Sequence, residues 1–301
     1  MDTFFPRTQI ENLSVSRLVI GTNWFLGHSH MSRSKDDLIK SVMDRKRIAD
    51  VLEVFLEAGV DTLLGVRAEP KLMEAMRDAE DRTGRALIGI TTPTLDIGPG
   101  QSARDNTRRI LDEAVATGAA VCMPHQQTTD ALLDRRTRSI RDMDIYCAMI
   151  RERNMLPGLS THMPEAPIYA DETGLDVATY IQIYNAIGFL MQIEVDWVNR
   201  IIWKSKKPVL TIKPLAAAKL LPLPGLAFAW STIRPQDMVA TGCMSPDEAR
   251  EVIEISRAVL EHRCPEVVLQ KTRSKDSVAS CPPRYGRFSR NLPRSTSTKH
   301  L

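Results

Sequence analysis

The sequence predicts an α/β chain folded as one (β/α)8 TIM barrel. Short β-branched or apolar runs alternate with amphipathic stretches along most of the 301 residues. Eight strand segments separated by helical segments fill about 270 residues, which is typical of a closed parallel barrel. No GxGxxG follows the first strand, and this disfavours the open doubly wound sheet.

The first half of the chain contains four strand and helix units. A β-branched run at 17–23 precedes a long amphipathic helix at 36–58, which Gly59 ends. The next three units are strand 60–64 with helix 70–83, strand 86–91 with helix 103–117, and strand 119–123 with helix 139–153.

The second half supplies four more strands and two clear helices. The strands are expected at 156–160, 179–184, 209–212 and 238–241, and the helices at 195–203 and 245–262. Ser245, Pro246 and Glu248 fit an N-cap, a proline in the first turn and a capping-box acid. We therefore expect a barrel domain at 1–268 and a disordered tail at 269–301, where Ser, Arg and Pro dominate without periodicity.

Composition excludes several classes of function. The chain has 40 basic and 37 acidic residues, so no nucleic-acid footprint is expected. No segment is long and apolar enough for a membrane span or an export signal. The five cysteines are widely spaced without a CxxC pair, which favours a reducing cytoplasm. The expected partner is a small-molecule substrate, and the oligomeric state stays open.

Four of the six histidines follow predicted strands, where a barrel collects its catalytic groups. Imidazole is a common metal ligand, and a carboxylate three residues after a histidine could bind the same ion. We therefore expect a site for a divalent metal (Zn, Fe or Mn) formed by His28, His30, His125, His162 and Glu165.

Five phrases of the sequence resemble the aldo-keto reductase superfamily. They are LSVSRLVIGT at 13–22, AGVDT at 58–62, YN at 184–185, KPLAA at 213–217 and GCMSPDE at 242–248. Their order and spacing cover roughly residues 8 to 262, so the resemblance implies the same barrel.

The resemblance also implies a catalytic tetrad, of which this chain keeps only part. Asp61 matches the family's aspartate and His125 its histidine, whereas Val66 stands where the tyrosine proton donor is expected. The lysine position falls within 90–92, which contains no amine. Ser160 and Asn185 match residues that hold the nicotinamide, yet the changes around them make NADPH less expected than a metal.

Three hypotheses follow from these residues. The first is metal-assisted hydrolase, lyase or isomerase chemistry with Asp61 as general base and Lys213 stabilising an anion or forming a Schiff base. The second is an NADPH-dependent oxidoreductase with a substituted proton donor, for instance Tyr169 or His30. The third is a binding protein that keeps the barrel without turnover.

Overall fold

The computed structural model describes residues 4–268, and a closed ring of eight parallel strands lies at its centre. In chain order the strands are β1 (Arg7–Ile10), β2 (Leu13–Ser16), β3 (Leu18–Gly21), β4 (Thr62–Val66), β5 (Ile88–Thr91), β6 (Ala119–Cys122), β7 (Leu133–Asp134), β8 (Ser139–Ile140), β9 (Leu156–Ser160), β10 (Thr179–Ile183), β11 (Val209–Ile212) and β12 (Met238–Thr241). The ring runs β3, β4, β5, β6, β9, β10, β11, β12 and closes where β12 pairs with β3. The (β/α)8 TIM barrel predicted from the sequence is confirmed.

The helices of the described residues lie between these strands or follow the last one. They are α1 (Arg33–Val42), α2 (Arg45–Glu57), α3 (Pro70–Thr83), α4 (Gln101–Ala116), α5 (Gln126–Leu132), α6 (Met143–Arg151), α7 (Ala166–Thr173), α8 (Val195–Lys204), α9 (Pro222–Thr232) and α10 (Pro246–Leu260). The Ser245 side chain caps α10 by accepting from Glu248 N, as the sequence predicts.

Two helices predicted from periodicity are wrong in extent. The helix at 36–58 is two helices, because Asp44 is an N-cap whose side chain accepts from Arg47 N and starts a new helix. The helix at 139–153 begins only at Met143, since Ser139 and Ile140 pair with β7 in a short antiparallel ribbon.

An antiparallel hairpin of β1 and β2 lies at the amino-terminal end of the barrel. Ile10 and Val15 of this hairpin are fully buried in the same apolar cluster as Val19, Val121 and Leu210 of the barrel strands. Because this end is filled with apolar side chains, an accessible site is left for the opposite end, where the strands finish.

Several expectations concern other parts of the chain. The tail expected at 269–301 lies outside the described residues. No helix within residues 4–268 has the length and apolar character needed to cross a membrane. Four cysteines of the described part, Cys122, Cys147, Cys243 and Cys264, are free thiols.

Candidate functional site

A cavity of about 580 Å³ opens at the carboxyl ends of the barrel strands. All four histidines singled out from the sequence line it, namely His28, His30, His125 and His162, together with Lys213 and Ser160. Residues far apart in the chain converge here because every strand of a parallel barrel ends on the same face. This end therefore forms the candidate active site.

The loop after β3 brings two of the imidazoles to the cavity. Asp36 in the first turn of α1 fastens this loop, since its Oδ1 accepts from Ser29 N at 2.7 Å and from Ser29 Oγ at 2.6 Å. His30 has a left-handed backbone with φ of 60°, and its Nδ1 lies 3.3 Å from the carbonyl oxygen of His28. Specific hydrogen bonds thus hold this loop in the wall of the cavity.

The third imidazole stands at the start of α5. His125 is the N-cap residue, and its Nδ1 accepts from Gln127 N at 3.4 Å. The His125 N–H in turn donates to the carbonyl oxygen of Pro93 at 2.8 Å, which ties the loops after β5 and β6. Because Nδ1 accepts, the proton of the neutral ring is assigned to Nε2.

A half-buried carboxylate that the sequence did not single out anchors the backbone of the fourth histidine. Asp130 in α5 accepts from Thr161 Oγ1, and its Oδ2 accepts from His162 N at 3.2 Å. Burial raises the pKa of Asp130, which these hydrogen bonds partly oppose. The loop after β9 is therefore anchored to the neighbouring α5 at Thr161 and at the backbone of His162.

Lys213 follows β11 directly and has a left-handed backbone with φ of 61°. A lysine with positive φ is uncommon and costs on the order of 1 kcal/mol or more, and such strain is concentrated at functional positions. The side chain is partly buried in the cavity wall, and no residue of the described part forms an ion pair or side-chain hydrogen bond with its ammonium. Burial lowers the pKa of Lys213 to about 8.

The four imidazoles are all weaker bases than usual. Desolvation is the largest cause in each case, although it is only partial for His28 and His30, which are exposed. The positive charge of Lys213 also lowers the pKa of His30, His125 and His162. His162 is affected most, with a pKa of about 4. These side chains are therefore neutral in the ordinary pH range, so they can accept a proton or donate one hydrogen bond each.

Arg67 is a cavity residue that the sequence analysis missed. It follows β4 immediately, and its charge lowers the pKa of His28 and His125 after the larger effect of burial. The strand was predicted to end at 64, three residues before this arginine, whereas it continues to Val66. A strand end placed two residues later would have shown this side chain beside the histidines.

Asp61, the predicted general base, does not face this cavity. It precedes β4, so it lies at the amino-terminal end of the barrel, where its carboxylate pairs with Arg7 at 2.7 Å. It lines a different, smaller cavity together with Phe4 and Arg85. The prediction that Asp61 acts beside the histidines is wrong, because the strand presents its carboxyl end, Leu64 and Gly65, to the larger cavity.

The predicted metal set is not assembled. Glu165 lies outside the cavity lining, and its carboxylate is bound by Arg135 at 2.6 Å. Among residues 4–268, no three His, Cys, Asp or Glu side chains are arranged to hold a metal ion. The residues present therefore do not fit the zinc, iron or manganese site expected from the sequence.

Only one of the two residues predicted to contact a nicotinamide lies in the cavity wall. Ser160 lines the cavity, as does Ile212 at the end of β11. Asn185 is fully buried elsewhere, because its Nδ2 donates to the carbonyl oxygen of Phe189 at 3.0 Å and its Oδ1 accepts from Phe189 N at 2.8 Å. It is a loop anchor in this structure, so the expectation that it touches a cofactor is wrong.

The fold of the chain is similar to those of several solved structures. A putative aldo-keto reductase from Pseudomonas aeruginosa has a TM-score of 0.62 at 16% identity, over 86% of this chain and 96% of that chain. The glycerol dehydrogenase of Gluconobacter oxydans has a TM-score of 0.53 at 12% identity, over 90% and 99% of the two chains. A truncated 3-deoxy-D-arabino-heptulosonate 7-phosphate synthase from Thermotoga maritima has a TM-score of 0.51 at 11% identity, over 87% and 93%.

Neither a protein-family model nor a curated protein matches the chain. Barrels with different chemistry share these structural similarities, and at such identities the likeness establishes the fold alone. The chain therefore has a (β/α)8 barrel similar to those of aldo-keto reductases.

Proposed function

We propose that the protein is a small-molecule enzyme of the lyase or isomerase type, in which Lys213 forms an imine with a substrate carbonyl. The observation that carries this proposal is the position of Lys213, partly buried at the carboxyl end of the barrel without a carboxylate partner among residues 4–268. With a pKa of about 8, roughly one Lys213 side chain in ten is a neutral amine at pH 7. A free lysine is neutral only about once in a few thousand.

The neutral amine supplies the nucleophile for the reaction. Lys213 Nζ adds to the carbonyl carbon, a proton moves from nitrogen to the former carbonyl oxygen, and water leaves as the C=N bond forms. The protonated imine then withdraws electrons from a bond to the adjacent carbon, so that a proton or a carbon fragment can depart. Hydrolysis of the imine returns the free lysine and the product carbonyl.

The surrounding imidazoles provide the proton transfers that this reaction needs. His162 and His125 line the same cavity as Lys213 and are neutral near pH 7, because desolvation and the charge of Lys213 lower the pKa of both rings. A neutral imidazole at this place can accept the proton lost from the carbon beside the imine. The loop that carries His28 and His30 lines the same cavity, and both of these residues are exposed.

Reductive trapping tests the proposal directly. The protein is treated at pH 7 with butanal and sodium cyanoborohydride, and peptide mass spectrometry compares butylation of Lys213 with that of exposed Lys204 on α8. We expect Lys213 to be modified at least roughly tenfold faster, because its neutral fraction is larger. Equal modification of the two lysines, in a protein with an intact circular dichroism spectrum, would contradict the proposal.

A nicotinamide-dependent oxidoreductase is the second candidate. The aldo-keto-reductase-like barrel and the placement of Ser160 in the cavity favour it. No tyrosine among the described residues lines the cavity, so an imidazole would have to serve as proton donor. Titration with NADPH, followed by the fluorescence of Trp24 in the cavity wall, separates the candidates: saturable quenching supports the oxidoreductase.

A further inference from the structure

We infer that the substrate of this cavity carries an anionic group, either a carboxylate or a phosphate. Arg67 binds this group while the carbonyl of the substrate reacts with Lys213. This inference rests on the proposed function, since it names the substrate class of the same site. Two positively charged side chains line one cavity, and neither has a partner within residues 4–268. A guanidinium matches the geometry of a carboxylate or phosphate through paired hydrogen bonds.

The backbone around Arg67 is built to hold that side chain at the cavity. The pairing of β4 with β5 shifts register between Leu64 and Val66, and Gly65 adopts a left-handed φ of 91°. Thr22 Oγ1 donates to the Gly65 carbonyl oxygen at 2.9 Å and fixes this bulge. Bulges beside active sites change the direction of the side chains that follow.

The other side of the Arg67 segment is fixed as well. Glu69 N donates to the Arg67 carbonyl oxygen at 2.7 Å, and Glu69 caps α3 by accepting from Leu72 N at 2.8 Å. The segment is therefore ordered from the bulge to the helix while the guanidinium itself has no bond within the described part. Arg67 is exposed and lines the cavity, so a ligand that enters can reach its guanidinium.

The carboxylates of the cavity wall lie on the side of α10. Glu248 and Glu251 belong to that helix, which follows β12, and the Glu248 carboxylate already accepts from Met244 N at 2.7 Å. No carboxylate within residues 4–268 forms an ion pair with Lys213, and burial lowers the pKa of its ammonium. Glu251 is exposed, and the Asp36 carboxylate near His28 already accepts two hydrogen bonds from Ser29. Arg67 and Lys213, the two cations of the cavity lining, have no carboxylate partner within residues 4–268, which favours an anionic substrate.

The positions of the two cations set the shape of the substrate. In the ring, β3 and β12 separate β4, which precedes Arg67, from β11, which precedes Lys213. Strand ends three positions apart in an eight-stranded barrel are roughly 14 Å from each other. Side chains of this length that extend inward leave a gap of a few ångströms, so the anion and the carbonyl should be joined by a short chain of atoms.

The test compares matched aldehydes in the trapping reaction. Succinic semialdehyde carries a carboxylate, glycolaldehyde phosphate carries a phosphate, and butanal carries neither. Each forms an imine with Lys213 by loss of water, and hydride from cyanoborohydride reduces it to a stable amine. The concentration of aldehyde that gives half-maximal modification is measured in the wild type, in Arg67→Gln and Arg67→Lys, and in Arg136→Gln as an exposed control.

We expect at least one anionic aldehyde to saturate at a concentration roughly ten- to a hundredfold lower than butanal, and Arg67→Gln to remove that advantage. Arg67→Lys should retain part of it, and Arg136→Gln all of it. The two anionic arms distinguish a carboxylate from a phosphate. If Lys213 is trapped equally by all three aldehydes, or if Arg67→Gln changes nothing, the inference is wrong although the imine chemistry stands.

Failure of the proposed function gives a different pattern. Absence of selective trapping at Lys213 with every aldehyde would reject the imine. Calorimetric titrations with succinate and with inorganic phosphate then test the anion site independently, because they need no covalent step. Binding that Arg67→Gln weakens would support the site, and equal binding or none in both proteins would reject it.

Discussion

Lowering the pH should destabilise the protein through His162 more than through an ordinary histidine. Burial, aided by the charge of Lys213, lowers the pKa of this imidazole from its ordinary 6.5 to about 4. In the unfolded chain His162 therefore binds a proton below pH 6.5, whereas in the folded chain it binds one only below about pH 4. Stability due to His162 is complete above pH 6.5 and is lost as the pH falls through this window.

The size of the effect follows from the two pKa values. At pH 5 the difference in proton binding corresponds to about 2 kcal/mol of unfolding free energy, and solvent screening of a partly exposed ring reduces this to roughly 1 kcal/mol. His162→Gln removes the titration while retaining a polar side chain of similar size. Between pH 7.5 and pH 5, the unfolding free energy of the variant should therefore fall by roughly 1 kcal/mol less than that of the wild type.

Urea denaturation followed by circular dichroism at the two pH values measures this difference. The other histidines of the cavity contribute equally to both proteins to a first approximation, so the comparison isolates His162. An identical loss of stability in wild type and variant would refute the reasoning that this ring is desolvated and beside a cation.

Three further predictions follow from single contacts. Gly65→Ala should lower the unfolding free energy by roughly 1–3 kcal/mol, because φ is 91° and the new Cβ would lie 2.5 Å from a hydroxyl oxygen; Gly84→Ala, with φ of 65° and open space, should cost less in the same urea titration. Asp130→Ala should destabilise by roughly 1–3 kcal/mol and speed amide exchange in the loop after β9; unchanged exchange would contradict its anchoring role. Asp61→Asn should leave butanal trapping unchanged, since Asp61 lies at the other end of the barrel; reduced trapping would place it in the site.

The features predicted correctly from the sequence depend on local patterns. Short β-branched or apolar runs between amphipathic stretches predicted the eight barrel strands. The Ser245 cap was predictable because its partner Glu248 is only three residues away. The histidines share a cavity because any side chain that follows a barrel strand reaches the same face.

The errors arise where long-range contacts or exact strand ends determine whether a side chain lies at the cavity. Glu165 was expected at the cavity, but Arg135, 30 residues earlier in the chain, binds its carboxylate. Asp61 matches the family's aspartate within the AGVDT phrase, but it directly precedes β4, and the length of a short strand separates it from the end that faces the cavity. Arg67 was not predicted at the cavity because β4 continues through a bulge, and no pattern in the sequence indicates that bulge.

The ionisation of Lys213 tests the central claim most directly. The ¹³Cε resonance of this lysine, identified by its loss in Lys213→Met, can be followed by NMR from pH 6 to 11 in the intact protein. We predict a midpoint at about pH 8, because burial without a carboxylate partner disfavours the ammonium. A midpoint at pH 10 or above would show an ordinary solvated lysine and contradict the proposed imine chemistry.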